Sequence, residues 1–403
     1  MKSTQSIPKS RLNLTASIAL ALSLIQTNAS FAVEGQWTEG TPMPTARFYH
    51  AAQVVDGKIY AIGGTNAEPT VTGINEVYNP ATDTWTTKAP MPTPRSGAGS
   101  AVVNGKIYMI GGALSVENTL RVVEEYDPAT DAWTTKTPMP TQRTGPGTFV
   151  VDGKIHVISG FRGIGGLSDY ANIIEVYDPQ TDTWEQLGAT PISARGNFAV
   201  SVADGRMYQF GGTRGTYSAG RETTEFDPET DTWTRKALMP SLRHFHSAST
   251  LNGKIYAMGG TATNTPALAS VQVYDPQTDT WEHGLEMPTA RRQFASVTLN
   301  GKIYAFGGIS GFLLGDRGTY YASMDIYTPA QEPGAPPLES ITRTVSGSIE
   351  IALPAGATYD IQYSPDLTPD SWIVVQSGVS GSYQDTDPIR TGKVRGFYRG
   401  VIP

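Results

Sequence analysis

The chain has 403 residues, enough for a large core and more than one domain, with 43 Gly, 28 Pro and only 17% charged residues. That mix suits many short strands joined by tight turns. A formal net charge of −7 argues against a nucleic-acid partner, whose phosphates an acidic surface repels, and zero cysteines exclude disulfides, thiolate metal sites and thiol nucleophiles.

At the N-terminus Lys2, Lys9 and Arg11 precede an apolar run from Leu12 to Ile25, and Ser30-Phe31-Ala32 then offers small residues before a cut. This layout predicts a secretory signal peptide over residues 1–32, cleaved after Ala32. A membrane anchor would need roughly 20 apolar residues, and this run is broken by Asn13, Thr15, Ser17 and Ser23. Cleavage removes three positive charges and takes the net charge to −10. The expected product is secreted or periplasmic, monomeric and without a membrane span.

Internal repeats come next. Diglycines stand at Gly63-Gly64, Gly111-Gly112, Gly211-Gly212, Gly259-Gly260 and Gly307-Gly308, with Ser159-Gly160 in the missing place, at spacings of 48, 48, 52, 48 and 48. Seven residues before each lies Asp56-Gly57, Asn104-Gly105, Asp152-Gly153, Asp204-Gly205, Asn252-Gly253 or Asn300-Gly301. Such pairs favour the type I′ turn between apolar-rich flanks, so each marks a β-hairpin. Tyr78, Tyr126, Tyr177, Phe226, Tyr274 and Tyr327 mark a third strand, and Trp85, Trp133, Trp184, Trp233 and Trp281 a fourth. Tyr-Asp-Pro-x-Thr-Asp-Thr-Trp, with small variations, turns between them.

Four strands per unit, repeated at about 48 residues, give the blades of a propeller. The diglycine, the spaced Tyr and Trp, and the Met-Pro-x-x-Arg leading into the next unit resemble the kelch repeat from about Gln36 to Pro329. The expected fold is therefore all-β, a six-bladed kelch β-propeller over residues 33–330. The sixth unit has Tyr327 but no following Trp, while Trp37 stands 48 residues before Trp85. An N-terminal strand carrying Trp37 should thus complete blade six and remove its exposed edge. Residues 331–339 read as a Pro-rich linker. Residues 340–403 resemble the small C-terminal β-sandwich modules of secreted bacterial proteins, with strands expected at Ser348–Leu353, Tyr359–Tyr363, Trp372–Gln376 and Arg395–Val401.

In peptide-binding kelch proteins one face is built from the residue after the diglycine, the second-to-third-strand loop and the residues just after the repeat Arg. The repeat Arg itself is Arg47, Arg95, Arg143, Arg195, Arg243 and Arg291; present in every copy, it reads as scaffold, bonding carbonyls between blades. His50 and His246, three residues later, read as scaffold too. The next two places vary: Phe48-Tyr49, Ser96-Gly97, Thr144-Gly145, Gly196-Asn197, His244-Phe245 and Arg292-Gln293. Bulky groups therefore gather in blades one, five and six, as a cleft with a floor and a wall would require. Loops from the diglycine to the third-strand aromatic are longest in blades three and six. They carry Arg162, Asp169 and Tyr170, then Asp316, Arg317, Tyr320 and Tyr321; blade four adds Arg214 and Tyr217. Long loops on a rigid scaffold concentrate binding residues. The resemblance and these loops make Tyr49, His244, Phe245, Arg292, Arg317, Tyr320, Arg162, Tyr170, Arg214 and Tyr217 the expected ligand site. Arginine beside tyrosine suits a sugar acid, the guanidinium forking onto a carboxylate and the ring meeting a pyranose.

No cofactor or metal is expected, and no catalytic residue is assigned. Copper-dependent kelch oxidases need a cysteine cross-linked to tyrosine, which is missing here. The Glu-x-x-x-Asp-x-x-x-His of iron-binding plant specifier proteins finds only Asp275, Asp279 and His283, within the repeated turn. The leading expectation is a binding module for a glycan or protein ligand. A sugar-acid epimerase or mutarotase is the alternative, with His244 titrating near neutrality, and a structural spacer is the third.

Overall fold

The computed structural model describes residues 35–330, except short stretches at 69, 116–117, 164–168, 189–194, 215–217, 264 and 312–317, and the backbone of six strands beyond residue 339. The expected signal peptide and linker lie outside the described residues. Blade one consists of Ala51–Val55, Lys58–Ile62, Asn75–Asn79 and Thr84–Lys88, hydrogen-bonded in that order and antiparallel throughout. The next four blades repeat this order. In blade six the fourth strand is Gln36–Gly40, which pairs with Met324–Thr328 and sets Trp37 opposite Tyr327. The ring is closed by the chain's own beginning, as the displaced Trp had indicated.

Local chemistry explains the hairpins. In all six turns the Asp or Asn has φ between 48° and 51° and the following Gly between 68° and 75°, the left-handed pair a type I′ turn demands. Alternation of side chains then decides where the core lies. Ile59 and Ala61 face blade six, packing with Tyr304 and Phe306, whereas Tyr60 and Ile62 face blade two, packing with Ile107, Met109 and Tyr126. The apolar cores therefore lie between blades, not within them.

Two devices fasten neighbouring blades. At the outer edge, the Tyr126 hydroxyl donates to Asp131 at 2.7 Å. Asp131 also accepts the Ala89 N–H at 2.9 Å, and Trp133 Nε1 donates to the Ala89 carbonyl at 2.8 Å. One blade thus grips both main-chain groups of one residue in the segment leaving the blade before it, and Tyr78, Asp83 and Trp85 grip Thr41 in the same way. Asp279, which sequence spacing brought near His283, belongs to the same clasp through Tyr274 and the Ala237 N–H.

The second device is the repeat Arg. All six are buried. The Arg95 carbonyl accepts the Gly64 N–H of blade one at 3.0 Å, while its guanidinium bonds the Met109 carbonyl and the Glu124 carboxylate of blade two. The expectation that the side chain bonds carbonyls between blades is thereby corrected: the main chain spans the blades, and the guanidinium serves its own. Glycine eases this approach, since a Cβ on Gly63 would come within 2.7 Å of the Arg95 carbonyl; blade three, with Ser159 at that place, makes the same bond at a longer 3.3 Å from Gly160 to the Arg195 carbonyl. Arg95→Ala would strand the buried Glu124 carboxylate and should destabilise the fold by about 3–5 kcal/mol in urea titration. An unaltered midpoint would show that Arg95 is dispensable.

The C-terminal strands form two three-stranded sheets. One holds Ser340–Arg343, Ile349–Ala352 and Ser382–Asp385; the other holds Ile373–Val379, Tyr359–Ser364 and Phe397–Val401. Four of the six strands overlap the ranges expected from sequence, and Ser340–Arg343 and Ser382–Asp385 are additional.

Candidate functional site

The first residue after the repeat Arg pairs with the residue after the diglycine of the same blade. Thus His244 exchanges main-chain bonds with Thr261, both at 3.0 Å, and Arg292 exchanges them with Ile309 at 3.1 and 3.0 Å. The second residue has positive φ in all six blades: Tyr49 53°, Gly97 63°, Gly145 59°, Asn197 56°, Phe245 57° and Gln293 55°. Their peptides join from blade to blade around the axis. Gly145 donates to Gly97, Gly97 to Tyr49, Tyr49 to Gln293, Gln293 to Phe245 and Phe245 to Asn197, at 2.7–2.9 Å. This spiral passes through all six blades and narrows one mouth of the central channel.

Blades two and three use glycine at this place, where left-handed backbone carries no steric penalty. Blades one, five and six hold Tyr49, Phe245 and Gln293 in the same conformation, which for bulky side chains stores on the order of 1–2 kcal/mol each. The strained side chains converge. Tyr49 meets Phe245 edge-on with ring centroids 5.8 Å apart, Phe245 lies 4.5 Å from the His244 ring, and the Arg292 guanidinium sits 5.9 Å from the Phe245 centroid. Phe48 adds a contact to Tyr320 at 5.4 Å. Phe48, Tyr49 and Tyr320 are half-buried, whereas His244, Phe245 and Arg292 lie beneath them with 0%, 6% and 5% exposure.

Polar bonds orient the cluster. Arg292 Nε donates to the Gly311 carbonyl at 2.7 Å and Nη1 to Gln293 Oε1 at 3.0 Å, which holds the guanidinium plane in place. The Tyr49 hydroxyl donates to Asn197 Oδ1 at 2.9 Å, crossing the axis from blade one to the opposite blade four. His244 departs from expectation. Burial, and then the nearby Arg292 charge, push its pKa down to about 4, so it is neutral at pH 7 and does not titrate near neutrality.

Of the ten site residues expected from sequence, Tyr49, His244, Phe245, Arg292 and Tyr320 share this cluster. Arg162 and Tyr170 belong to a second group. The Arg162 guanidinium is held by Asp169, its Nε donating at 2.8 Å, so its charge is neutralised. Tyr170 meets Phe161 at 5.9 Å and covers Gly196, where a Cβ would come within 2.6 Å of its ring. Arg214 lies on the short strand Thr213–Arg214, paired with Ser218–Ala219. Tyr217 and Arg317 fall outside the described residues. Sequence reasoning passed over Phe48, Asn197 and Thr213 as site residues. The signal for Asn197 was its position in the repeat, level with Tyr49 and Phe245.

Behind the spiral lies an axial cavity of about 280 Å³, lined by first-strand residues of all six blades, among them Gln53, Ser100, Thr148, Ser247 and Ser296. Its polarity follows from propeller geometry. The first strand of each blade has no neighbour on its axial side, and side chains of adjacent blades cover part of that edge, as when Thr148 donates to the Ser100 carbonyl at 2.7 Å.

The family described as Attractin/LZTR1 beta-propeller matches residues 59–317. The chain belongs to that family. Kelch-like protein terF of Aspergillus terreus (strain NIH 2624 / FGSC A1156) is 47% identical over 55 residues, 13% of this chain and 12% of that protein. The chain therefore matches only about an eighth of this curated relative's length. The solved structure of YjhT superposes with a TM-score of 0.62 at 18% identity, covering 72% of this chain and 97% of YjhT. At that identity the likeness bears on the fold. Together these findings make the protein a kelch-type propeller, and no helix among the described residues is long and apolar enough to cross a membrane.

Proposed function

We propose that this propeller is a binding module for a glycan or protein ligand, and that the ligand sets a carboxylate on Arg292 and an apolar face against Tyr49 and Tyr320. The observation that carries this reading is the left-handed backbone at Tyr49, Phe245 and Gln293, in places where blades two and three have glycine. Strain of this kind persists where it is part of function, and here it gathers aromatic rings around one positioned guanidinium. A uronic acid unit has both required surfaces, a carboxylate and a pyranose face. The epimerase alternative needs an acid–base group near neutrality, and the low pKa of His244 does not supply one. The kelch-type fold supports an interaction role and leaves the ligand's chemistry to the site.

Calorimetric titration of the full chain with glucuronate and with glucose tests this. Glucuronate should bind more tightly, and Arg292→Ala should weaken it by about 1.5–3 kcal/mol, the worth of a charge-assisted hydrogen bond. Equal affinities for the two sugars, or an Arg292→Ala variant that binds glucuronate as well as wild type, would overturn the reading. Gln293→Gly should relieve strain, raising unfolding free energy by about 0.5–1 kcal/mol, while loosening Arg292 and weakening glucuronate. A variant that gained both stability and affinity would contradict a functional origin for the strain.

A further inference from the structure

The two longest loops between second and third strands stand on blades three and six, which face each other across the ring. Each loop brings a tyrosine to the same place. Tyr320 bridges to Ile309, the residue after the diglycine of blade six, and Tyr170 bridges in the same way to Phe161 of blade three. Blades one, two and four have Val71, Thr119 and Ala219 at this place. Tyr320 packs on Phe48 at 5.4 Å, and Tyr170 meets Phe161 at 5.9 Å with ring planes 62° apart. Between these aromatic pairs lies Tyr49. Its hydroxyl crosses the axis to Asn197, whose amide donates to Thr213 Oγ1 at 3.2 Å, and Thr213 lies 2.9 Å from His244 Nδ1. The Tyr49 ring is thereby fixed over the channel. Beyond it, toward blade three, the second place after the repeat Arg carries no side chain, in Gly97 and Gly145.

Packing does not require glycine at Gly145. A Cβ there would meet nothing nearer than Asn197 Oδ1 at 3.9 Å, and Tyr49, Asn197, Phe245 and Gln293 carry side chains on the same left-handed backbone. The missing side chain keeps the ground clear between Tyr49 and the Phe161–Tyr170 pair. The main chain of this floor is already spent. Gly145 donates to Gly97 and Gly97 to Tyr49, while Ser96 exchanges bonds with Ala113 as Thr144 does with Phe161. These residues leave little main chain for an extended peptide to pair with, whereas exposed ring faces suit pyranoses. We propose that the ligand is an acidic oligosaccharide of three or more units, lying across the channel mouth from blade six to blade three. One unit sets its carboxylate on Arg292 beside Tyr320, the next covers the Tyr49 ring, and a third crosses the Gly145 floor to the Phe161–Tyr170 pair. Arg162 is held by Asp169, so ring contact rather than charge retains the third unit. The proposal rests on the binding reading of this face and adds the length and direction of the ligand.

Calorimetric titration of the full chain with galacturonate and with its dimer, trimer and pentamer tests this. Affinity should rise roughly three- to tenfold with each unit up to the trimer, the scale of one added ring contact, and change little beyond it. Gly145→Asn, which takes the left-handed backbone as Asn197 does, should fill the floor and lower the ratio of trimer to monomer affinity by roughly tenfold, as loss of the third unit's contact requires. Phe161→Ala should lower the same ratio roughly three- to tenfold, and it keeps the proposal open to refutation if Gly145→Asn fails to fold. A flat length series, or a ratio unchanged in the folded variants, overturns the oligosaccharide. So does an oligoglutamate of equal charge that binds more tightly than the trimer. If galacturonate binds in a manner that depends on Arg292 but lengthening brings no gain, the binding reading stands and this inference falls. If monomer and trimer both fail to bind, the binding reading falls and takes the inference with it.

Discussion

A chain lacking residues 1–40 should melt on the order of 10 °C below one lacking residues 1–32. Among the described residues the two differ by Gly35 and the strand Gln36–Gly40. That strand pairs along five residues with Met324–Thr328, and Trp37 lies 5.1 Å from Tyr327 and donates from Nε1 to the Leu285 carbonyl at 3.0 Å. Each lost main-chain bond removes about 1 kcal/mol net and the aromatic contact about another. The total, roughly 5 kcal/mol, compares with a global stability of about 5–15 kcal/mol for typical domains. Loss also bares the edge of Met324–Thr328, inviting pairing between molecules. Thermal denaturation by circular dichroism, with light scattering for association, checks both effects. Equal melting temperatures would mean that the closing strand adds nothing measurable.

Acidification from pH 7 to pH 5 should remove about 2 kcal/mol of stability through His244, with further loss in the same direction from His50 and His246. His50 and His246 are buried with pKa values driven well below the ordinary value, first by burial and then by neighbouring arginines. His244 is lowered to about 4 for the same reasons, and His156, stacked 4.9 Å from Phe149, is also lowered by burial. Each group's folded pKa lies below its unfolded value. The unfolded chain therefore binds protons first as pH falls through about 6.5, and stability present above that pH is lost on the way down. Between pH 7 and pH 5, His244 accounts for about 2 kcal/mol, and His50 and His246 act in the same direction. The clasp carboxylates Asp83, Asp131 and Asp182 have lowered pKa values through hydrogen bonds, as to Tyr78, Tyr126 and Tyr177, so their contribution disappears only below about pH 4. Urea midpoints that stay level from pH 7 to pH 5 would refute the histidine account.

Much of the fold was legible in sequence because its signals are local and repeated six times. Asp56-Gly57 needs only its own two residues to form a type I′ turn, and the same pair recurs at each first hairpin. The unmatched Trp37 and the Tyr327 without its Trp left a single way to close the ring. The site was legible only in outline. Repeat position singled out Tyr49, His244, Phe245 and Arg292 as variable groups at one end of the blades. It could not show that His244 is sealed beneath Phe245, and solvation decides whether an imidazole titrates near 6.5 or near 4. The repeat Arg was recognised as scaffold for its recurrence, yet the partition of its bonds depends on where Gly64 and Glu124 lie in space.

By itself, the sequence determined the blade count, the hairpin turns, the closing strand and the end of the propeller where the variable residues stand, since each follows from backbone preference within a few residues or from counting copies. Only the tertiary structure decided the ring of left-handed peptides, the Tyr49–Asn197–Thr213–His244 chain and the neutrality of His244. These arise between residues up to 244 positions apart, from Tyr49 to Gln293, brought together by closure of the ring. Hydrogen-bond direction and desolvation are properties of that enclosure, and no local pattern encodes them.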